Sequence, residues 1–413
     1  MNKPIEALSA DRQQYVRTRT DKYFSKTREM VEKFGDKAVT YGVFLRRGVI
    51  CAVNPAIDVL RRYYPTRSDS GDGAAIPLKI TRLYEEGAFV PDQKPLFTYT
   101  GSFAALAELE TLILQRTGVA CVSAYNAYKM AMNLKNVAFI DMHARHSTGD
   151  DLSVLAAYGA ATGSRMAKLN GAIGFIGSSQ DLTAHFYGQE HGIGTMPHGI
   201  VGYAGSTLRA AQMFVETHPQ DNLTVLVDYF GREYGDSIEV CRWWYNEYLP
   251  RDQDGTRQLA MRLDTHGDRF AEGLSYDKSV EIVANWLHVP NEYEAVRYVM
   301  GEEAFDADSL NITKDRVRRV LFGTGVTVAS VIQLRQTLNA AGFSACRIVG
   351  SSGFNMFKCK MFANARAPLD SVGTGSFIPE NFGDTFATAD IFMYEGRFDV
   401  KLGREKLYLG LKP

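Results

Sequence analysis

NLTVLVDYFGREYGD, residues 222–236, opens with a run of apolar and β-branched residues that stops abruptly at Asp228 and gives way to small and charged residues in a helical pattern. A continuous apolar run of this length reads as a strand buried on both faces, as parallel strands are. The same unit recurs along the chain. NVAFID (136–141) precedes MHARH, NGAIGFIG (170–177) precedes SSQD, and QLAMRLD (258–264) precedes THGDR. VRRVLFG (317–323) precedes TGVT, ACRIVG (345–350) precedes SSGF, and LDSVG (369–373) precedes TGSF. With 222–228 these seven strand-then-helix units predict an α/β fold, an irregular parallel α/β barrel. An open doubly wound sheet is the alternative, and it would need a dominant nucleotide fingerprint, which the chain lacks.

Outside the repeats the pattern changes. Residues 20–34, TDKYFSKTREMVEKF, predict a helix start followed by an amphipathic helix. Residues 68–75, SDSGDGAA, are turn chemistry, and 86–101 predict short strands broken by prolines. Residues 102–134 are helical in pattern, and the tail 387–410 reads as strands with charged turns. The expected division is an α+β sandwich domain over 1–105, completed by C-terminal strands in 378–413, and a barrel domain over 106–377.

The 413 residues are 45% hydrophobic and 23% charged, an ordinary globular composition. Lys plus Arg is 46 and Asp plus Glu is 47, a balance that argues against a general nucleic-acid or membrane-surface binder. The five cysteines show no CxxC spacing and read as reduced core residues of a cytoplasmic protein. The polar N-terminus reads as neither a signal peptide nor a membrane anchor. No apolar run approaches the roughly 20 residues that a membrane helix needs.

In such barrels the chemistry sits at the C-terminal ends of the strands. Those ends carry Arg145 and His146, then Ser178, Ser179 and Gln180, then Asp228, then Asp264, Thr265 and Asp268. The later ones carry Gly325 and Thr327, Ser351 to Gly353, and Gly373 to Gly375. Three Gly/Ser/Thr loops, each feeding a helix, can aim backbone N–H groups at one anion, which points to a phosphate site. Arg145 can add a bidentate contact or serve in a surface salt bridge. Asp228 and Asp264 read either as helix caps and local ion pairs or as ligands for sugar hydroxyls and Mg²⁺. His198 lies in GIGTMPHGIVG (192–202), expected on the loop after the second strand. Pro197 and the flanking glycines would hold its imidazole in one pose, although a lone histidine is also ordinary surface or core.

Taken as a set, these residues resemble the nicotinate phosphoribosyltransferase family of type II phosphoribosyltransferases, and within it the shorter branch with a GTMPH loop. The resemblance rests on Thr20-Asp21-Lys22-Tyr23, Leu109-Glu110-Thr111, Arg145, Gly177-Ser178-Ser179, and Gly194-Thr195-Met196-Pro197-His198. It continues through Val227-Asp228, Arg262-Leu263-Asp264, Ser352-Gly353 and Val372-Gly373-Thr374-Gly375, in family order over nearly the whole chain. It implies transfer of phosphoribose from 5-phosphoribosyl pyrophosphate to nicotinate, giving nicotinate mononucleotide and pyrophosphate in NAD salvage. It also implies Mg²⁺, ATP hydrolysis through a phosphorylated His198, and a homodimer with shared active sites. Arg145 would then hold the pyridine carboxylate or a phosphate, and a partner's Tyr23 would stack on the ring. Asp264 would contact ribose hydroxyls or metal, Asp228 would serve beside it, and Arg262 and Thr195 would contact substrate. Gly325, Ser352, Gly353, Gly373 and Thr374 would cradle phosphate. Ser179 stands near where nicotinamide-specific relatives carry an aspartate, which favours the acid.

Several positions depart from the family pattern. Met142 replaces a ring-stacking Phe, His146 replaces a second Arg, and His266-Gly267-Asp268 follows the RLDT motif. These departures keep open a relative that takes another pyridine base or that binds without turnover. A metal-dependent barrel hydrolase using His143, His146, His191 and His198 with Asp264 is the further alternative.

Overall fold

In a computed structural model the described residues are 5–65, 76–251, 256–301 and 313–411, with side chains described from residue 12 onward. The turn expected at 68–75 lies outside the described residues. The chain divides into two compact units, Met1–Tyr128 with Thr148–Met166 and Ile378–Pro413, and Lys129–Ser147 with Ala167–Phe377.

The first unit is built on an antiparallel sheet. Its strands are β1 (Ala38–Phe44), β3 (Lys79–Arg82), β5 (Pro95–Ser102), β12 (Thr388–Tyr394) and β13 (Arg397–Phe398), in the order β13-β12-β1-β5-β3. A separate two-stranded ribbon pairs β2 (Val49–Ile50) with β4 (Phe89–Val90). The C-terminal strands therefore complete the N-terminal domain, as the tail's pattern predicts. The return is fixed by packing: Tyr408 stacks on Phe392 with ring centroids 4.6 Å apart, and its hydroxyl donates to the Gly42 carbonyl at 3.2 Å. Gly42 has to be glycine here, because a Cβ on it would lie 2.4 Å from the Tyr408 ring. Helices Phe103–Asn133 and Asp150–Leu169 cross closely in this unit at Gly159 and Gly163.

The second unit carries six parallel strands: β6 (Ala138–Asp141), β7 (Gly174–Ser178), β8 (Leu223–Leu226), β9 (Leu259–Leu263), β10 (Arg347–Gly350) and β11 (Ser371–Thr374). Their order is β7-β6-β11-β10-β9-β8. Both faces are largely buried, which is why these strands read as continuous apolar runs. The register sets Asp141 opposite both Ser178 and Thr374, and Gly350 opposite Leu263. The C-terminal ends thus stand level, and the residues that follow them share one edge of the sheet.

One of the seven expected strands is a helix. VRRVLFG forms most of Lys314–Phe322, capped by the Thr313 hydroxyl, which accepts from the Arg316 amide at 3.3 Å. Val317 and Leu321 are buried at i, i+4, with Phe322 buried beside them and Arg316, Arg318 and Arg319 on less buried positions. The run was short enough to suit either period, and the N-cap and the charged stripe decide for helix. No helix among the described residues is long and apolar enough to cross a membrane.

Candidate active site

The strand ends of the second unit converge through one guanidinium. Arg262, nearly buried at the penultimate position of β9, donates from Nε to the Ser351 hydroxyl at 3.0 Å and from Nη2 to Asp264 Oδ2 at 2.7 Å. Its Nη1 donates to the Thr195 hydroxyl at 2.9 Å and to the Met196 carbonyl at 3.4 Å. The loop before His198 and the ends of β9 and β10 are therefore tied together by a planar fork that makes four hydrogen bonds. Ser351 is fixed in turn, its amide donating to the Leu263 carbonyl at 2.9 Å.

His198 directly follows that loop. It is the first residue of the helix His198–Ala204, preceded by extended Pro197, so it opens a helix instead of sitting within a loop. Pro197 lacks the N–H that a helix start leaves unbonded, which suits the position. The imidazole Nε2 lies 3.0 Å from Asp228 Oδ2, with the His198 side chain 45% exposed and the Asp228 side chain 6%. Asp228 Oδ1 is buried and accepts no hydrogen bond. Burial raises the Asp228 pKa above the ordinary carboxylate range; the His198 contact opposes this and the nearby Asp264 charge adds to it.

A second layer holds Asp228 from behind. Arg269 Nη2 donates to the Asp228 carbonyl at 2.7 Å and lies 2.6 Å from Glu233 Oε1. Glu233 is fully buried, and its carboxylate also accepts from the Thr265 hydroxyl at 2.9 Å and the Glu272 amide at 3.0 Å. Glu272 caps the helix Glu233–Trp243 by accepting from the amides of Tyr234 at 2.7 Å and Gly235 at 2.8 Å. Neither Glu233 nor Arg269 stands out in the sequence, because each lies several residues past a strand end. The signal available was an acid and a base on adjacent strand-end loops.

The remaining expected residues except Tyr23 fall at the same edge of this unit, with different freedom. Ser179 is exposed, its amide donating to the Asp141 carbonyl at 2.8 Å. Arg145 is exposed in the short turn Ala144–His146, with Nε 3.3 Å from His146 Nε2. Ser352 and Gly353 are both in left-handed conformation, φ 73° and 66°, and both are exposed. Gly325, φ 80°, takes its amide to the Arg269 carbonyl at 2.8 Å. The Thr374 hydroxyl is already engaged, donating to the Phe354 carbonyl at 2.7 Å and accepting from the Ser376 amide at 2.9 Å. Gly373 lies beneath Met142, whose sulfur would stand 2.5 Å from a Cβ at that position. Tyr23 belongs to the first unit, 62% exposed on the helix Lys22–Phe34.

Lys358 is a residue that strand-end reading passed over. It sits in the first turn of the helix Met356–Asn364, and its Nζ reaches back to donate to the Ser352 carbonyl at 2.8 Å. Burial lowers its pKa to about 8, with Cys359 and Asp264 opposing the shift.

His143, named for the hydrolase alternative, faces elsewhere. It is fully buried, with Nδ1 2.5 Å from Asp141 Oδ1 and its ring edge-on to Phe377. Among the described residues no group of three or more His, Cys, Asp or Glu side chains is placed to hold a metal ion.

No protein-family model matches the chain, and no curated protein matches it in sequence. Solved structures do match the fold. Nicotinate-nucleotide pyrophosphorylase from Pyrococcus furiosus aligns at 18% identity and a TM-score of 0.62, covering 97% of this chain and 80% of that one. Human nicotinic acid phosphoribosyltransferase aligns at 14% identity and a TM-score of 0.56, covering 93% and 76%. NadC from Streptococcus pyogenes aligns at 12% identity and a TM-score of 0.52, covering 95% and 98%. The chain has the fold these enzymes share.

Proposed function

We propose that the chain is a nicotinate phosphoribosyltransferase that joins nicotinate to 5-phosphoribosyl pyrophosphate, releases pyrophosphate, and couples the transfer to ATP hydrolysis through His198. The observation that carries this reading is the pairing of a half-exposed His198 with a nearly buried Asp228, beside strand ends tied together by Arg262.

With Asp228 ionised, the His198 imidazole carries its proton on Nε2 and donates it to the carboxylate. That leaves the Nδ1 lone pair free for the γ-phosphorus of ATP. The P–N bond forms as the P–O bond to ADP breaks, and Asp228 balances the positive charge that develops on the ring. Water later returns the phosphoryl group as phosphate. In the transfer itself the pyridine nitrogen bonds to C1 of the ribose as the bond to pyrophosphate breaks.

Mg²⁺ fits the donors present. The unbonded Asp228 Oδ1 and the nearby Asp264 supply hard oxygens, and two carboxylates together with substrate phosphates are a usual Mg²⁺ set. Bound there, the ion would neutralise charge on the leaving pyrophosphate. Thr195 and Arg262 position the His198 loop, and Asp264 is oriented by Arg262 for ribose hydroxyls. Ser352, Gly353, Gly325, Gly373 and Thr374 line the phosphate end mainly with backbone. Arg145 and Ser179 face the base, and a serine there does not repel a carboxylate. In a homodimer, Tyr23 of one protomer supplies the stacking ring to its partner's site.

The test is product formation. The protein is incubated with Mg²⁺, 5-phosphoribosyl pyrophosphate and either nicotinate or nicotinamide, with and without ATP, and mononucleotide and ADP are resolved by chromatography. Nicotinate mononucleotide stimulated by ATP supports the reading. Product from nicotinamide alone reassigns the base. Binding of 5-phosphoribosyl pyrophosphate with no product from either base favours a non-catalytic relative.

A further inference from the structure

Six arginine and lysine side chains stand at the ends of the parallel strands or on the loops and first helical turns that follow them. Three of them carry a carboxylate of their own: Arg232 lies 3.2 Å from Asp236, Arg262 lies 2.7 Å from Asp264, and Arg269 lies 2.6 Å from Glu233. Among the described residues the other three, Arg145, Lys278 and Lys358, have none within ion-pair distance. Arg145 and Lys278 are exposed and their charges are solvated. Lys358 is half-buried, and its ammonium donates only to the Ser352 carbonyl at 2.8 Å. The Phe354 ring lies 4.4 Å from Nζ and the Phe362 ring 5.8 Å. A half-buried ammonium without a counter-charge is costly to hold, and one carbonyl with two ring faces offsets only part of that cost.

The loop it reaches adds a second, independent feature. Ser352 and Gly353 are consecutive left-handed residues, φ 73° and 66°, and Gly353 leaves open space where a Cβ would stand. A non-glycine residue held at positive φ is strained unless something requires it. Here the turn brings the Ser352 carbonyl to the Lys358 ammonium and leaves the exposed loop backbone beside it. The arrangement is a positive charge held beside an exposed stretch of loop backbone, with no carboxylate of the described residues in ion-pair contact and Asp264 acting on it only from further away.

We infer that Lys358 is the cation that binds an anionic phosphate group of the substrate at the end of β10, a role for which the motif residues of that loop supply only backbone and hydroxyl groups. The inference rests on the phosphoribosyl-transfer reading for its biological ligand, but it stands or falls on anion binding alone. Two groups share the chemistry: the pyrophosphate of 5-phosphoribosyl pyrophosphate and its 5′-phosphate. Lys358 touches one of them, which makes it a binding residue for the reaction and not part of the bond exchange.

The test is calorimetric titration of the full chain with inorganic pyrophosphate and, separately, with ribose 5-phosphate. Lys358→Gln removes the charge, Lys358→Arg keeps it, and Lys360→Gln, on the same helix, is the control. Loss of a charge-assisted contact predicts that Lys358→Gln weakens one of the two probes by about tenfold or more. Lys358→Arg stays within about threefold of the unsubstituted chain, and Lys360→Gln is unchanged. Selective loss of pyrophosphate places the ammonium at the leaving group, and selective loss of ribose 5-phosphate places it at the 5′-phosphate. Equal binding of both probes by Lys358→Gln and the unsubstituted chain overturns the inference. So does equal weakening by Lys358→Arg and Lys358→Gln, which would mark a packing role. If the unsubstituted chain binds neither probe, the anion site itself is refuted. Pyrophosphate bound in a Lys358-dependent way with no mononucleotide formed leaves the inference standing and removes the transferase reading.

Discussion

Arg262 and Asp264, two residues apart, form a 2.7 Å ion pair in which both side chains are nearly buried. The same guanidinium holds Thr195, Met196 and Ser351, so its charge and its shape are both in use. Arg262→Met leaves Asp264 largely buried and unpaired, a change that typically costs about 3–5 kcal/mol. The expected result is a lowered midpoint in denaturant titration, together with loss of turnover by about a hundredfold or more, since a misplaced positioning contact alone can cost that much. Arg262→Lys is expected to recover stability in part and turnover hardly at all, because a single ammonium cannot span three loops.

Glu233 tests the layer behind Asp228. Its fully buried carboxylate takes the guanidinium of the partly exposed Arg269, the Thr265 hydroxyl and the Glu272 amide. Glu233→Gln leaves Arg269 with an uncompensated charge and is expected to destabilise the chain by about 3 kcal/mol, read from chemical denaturation. A change below about 0.5 kcal/mol, the usual size for a surface substitution, would show that water or rearrangement replaces the network.

Helix crossing in the first unit gives a prediction whose sign is unusual. Glycine in a helix interior is ordinarily about 1 kcal/mol worse than alanine. At Gly163 a Cβ would lie 2.0 Å from the Ala124 carbonyl oxygen, and at Gly159 it would lie 2.2 Å from that of Ala120. Gly163→Ala is therefore expected to lower the melting temperature, with an overpacking cost of about 1–3 kcal/mol or more outweighing the gain in propensity. A raised melting temperature would mean that the two helices separate without penalty.

Glu110 predicts a pH dependence. Burial first, and then the charge of Asp390, push its pKa up to about 7, while a hydrogen bond from Tyr41 pulls the other way. A raised pKa in the folded state means that the folded chain holds this proton more tightly than the unfolded chain does. The contribution to stability is full below the ordinary glutamate range and is lost as pH rises through about 7. The melting-temperature difference between the unsubstituted chain and Glu110→Gln is expected to move against the unsubstituted chain between pH 5 and pH 8. A difference independent of pH would contradict the assignment to Glu110.

Much of this was legible in the sequence, for physical reasons that differ by element. Six of the strands read correctly because parallel strands buried on both faces leave continuous apolar runs, as LTVL and LAMRL do. The run VRRVLF misled because Val317 and Leu321 satisfy a helical period while the segment is short enough to pass as a strand. His198 was visible as chemistry, but its place at a helix start was set by Pro197 and the residues that follow it. Glu233, Arg269 and Lys358 were not visible, since each acts only after the chain has turned back on a strand end. Their partners, the carbonyls of Asp228 and Ser352 among them, are backbone atoms that carry no mark in the sequence.

The central claim is that His198, held by Asp228, accepts a phosphoryl group from ATP. The most direct measurement is to incubate the protein with Mg²⁺ and ATP labelled on the γ-phosphate, quench in base, and locate acid-labile label by peptide mapping, with Asp228→Asn and His198→Ala in parallel. The account predicts base-stable, acid-labile label on the peptide that contains His198, strongly reduced in Asp228→Asn and absent in His198→Ala. Label that persists in His198→Ala, or a chain that forms nicotinate mononucleotide with ATP stimulation and no label on His198, would contradict it.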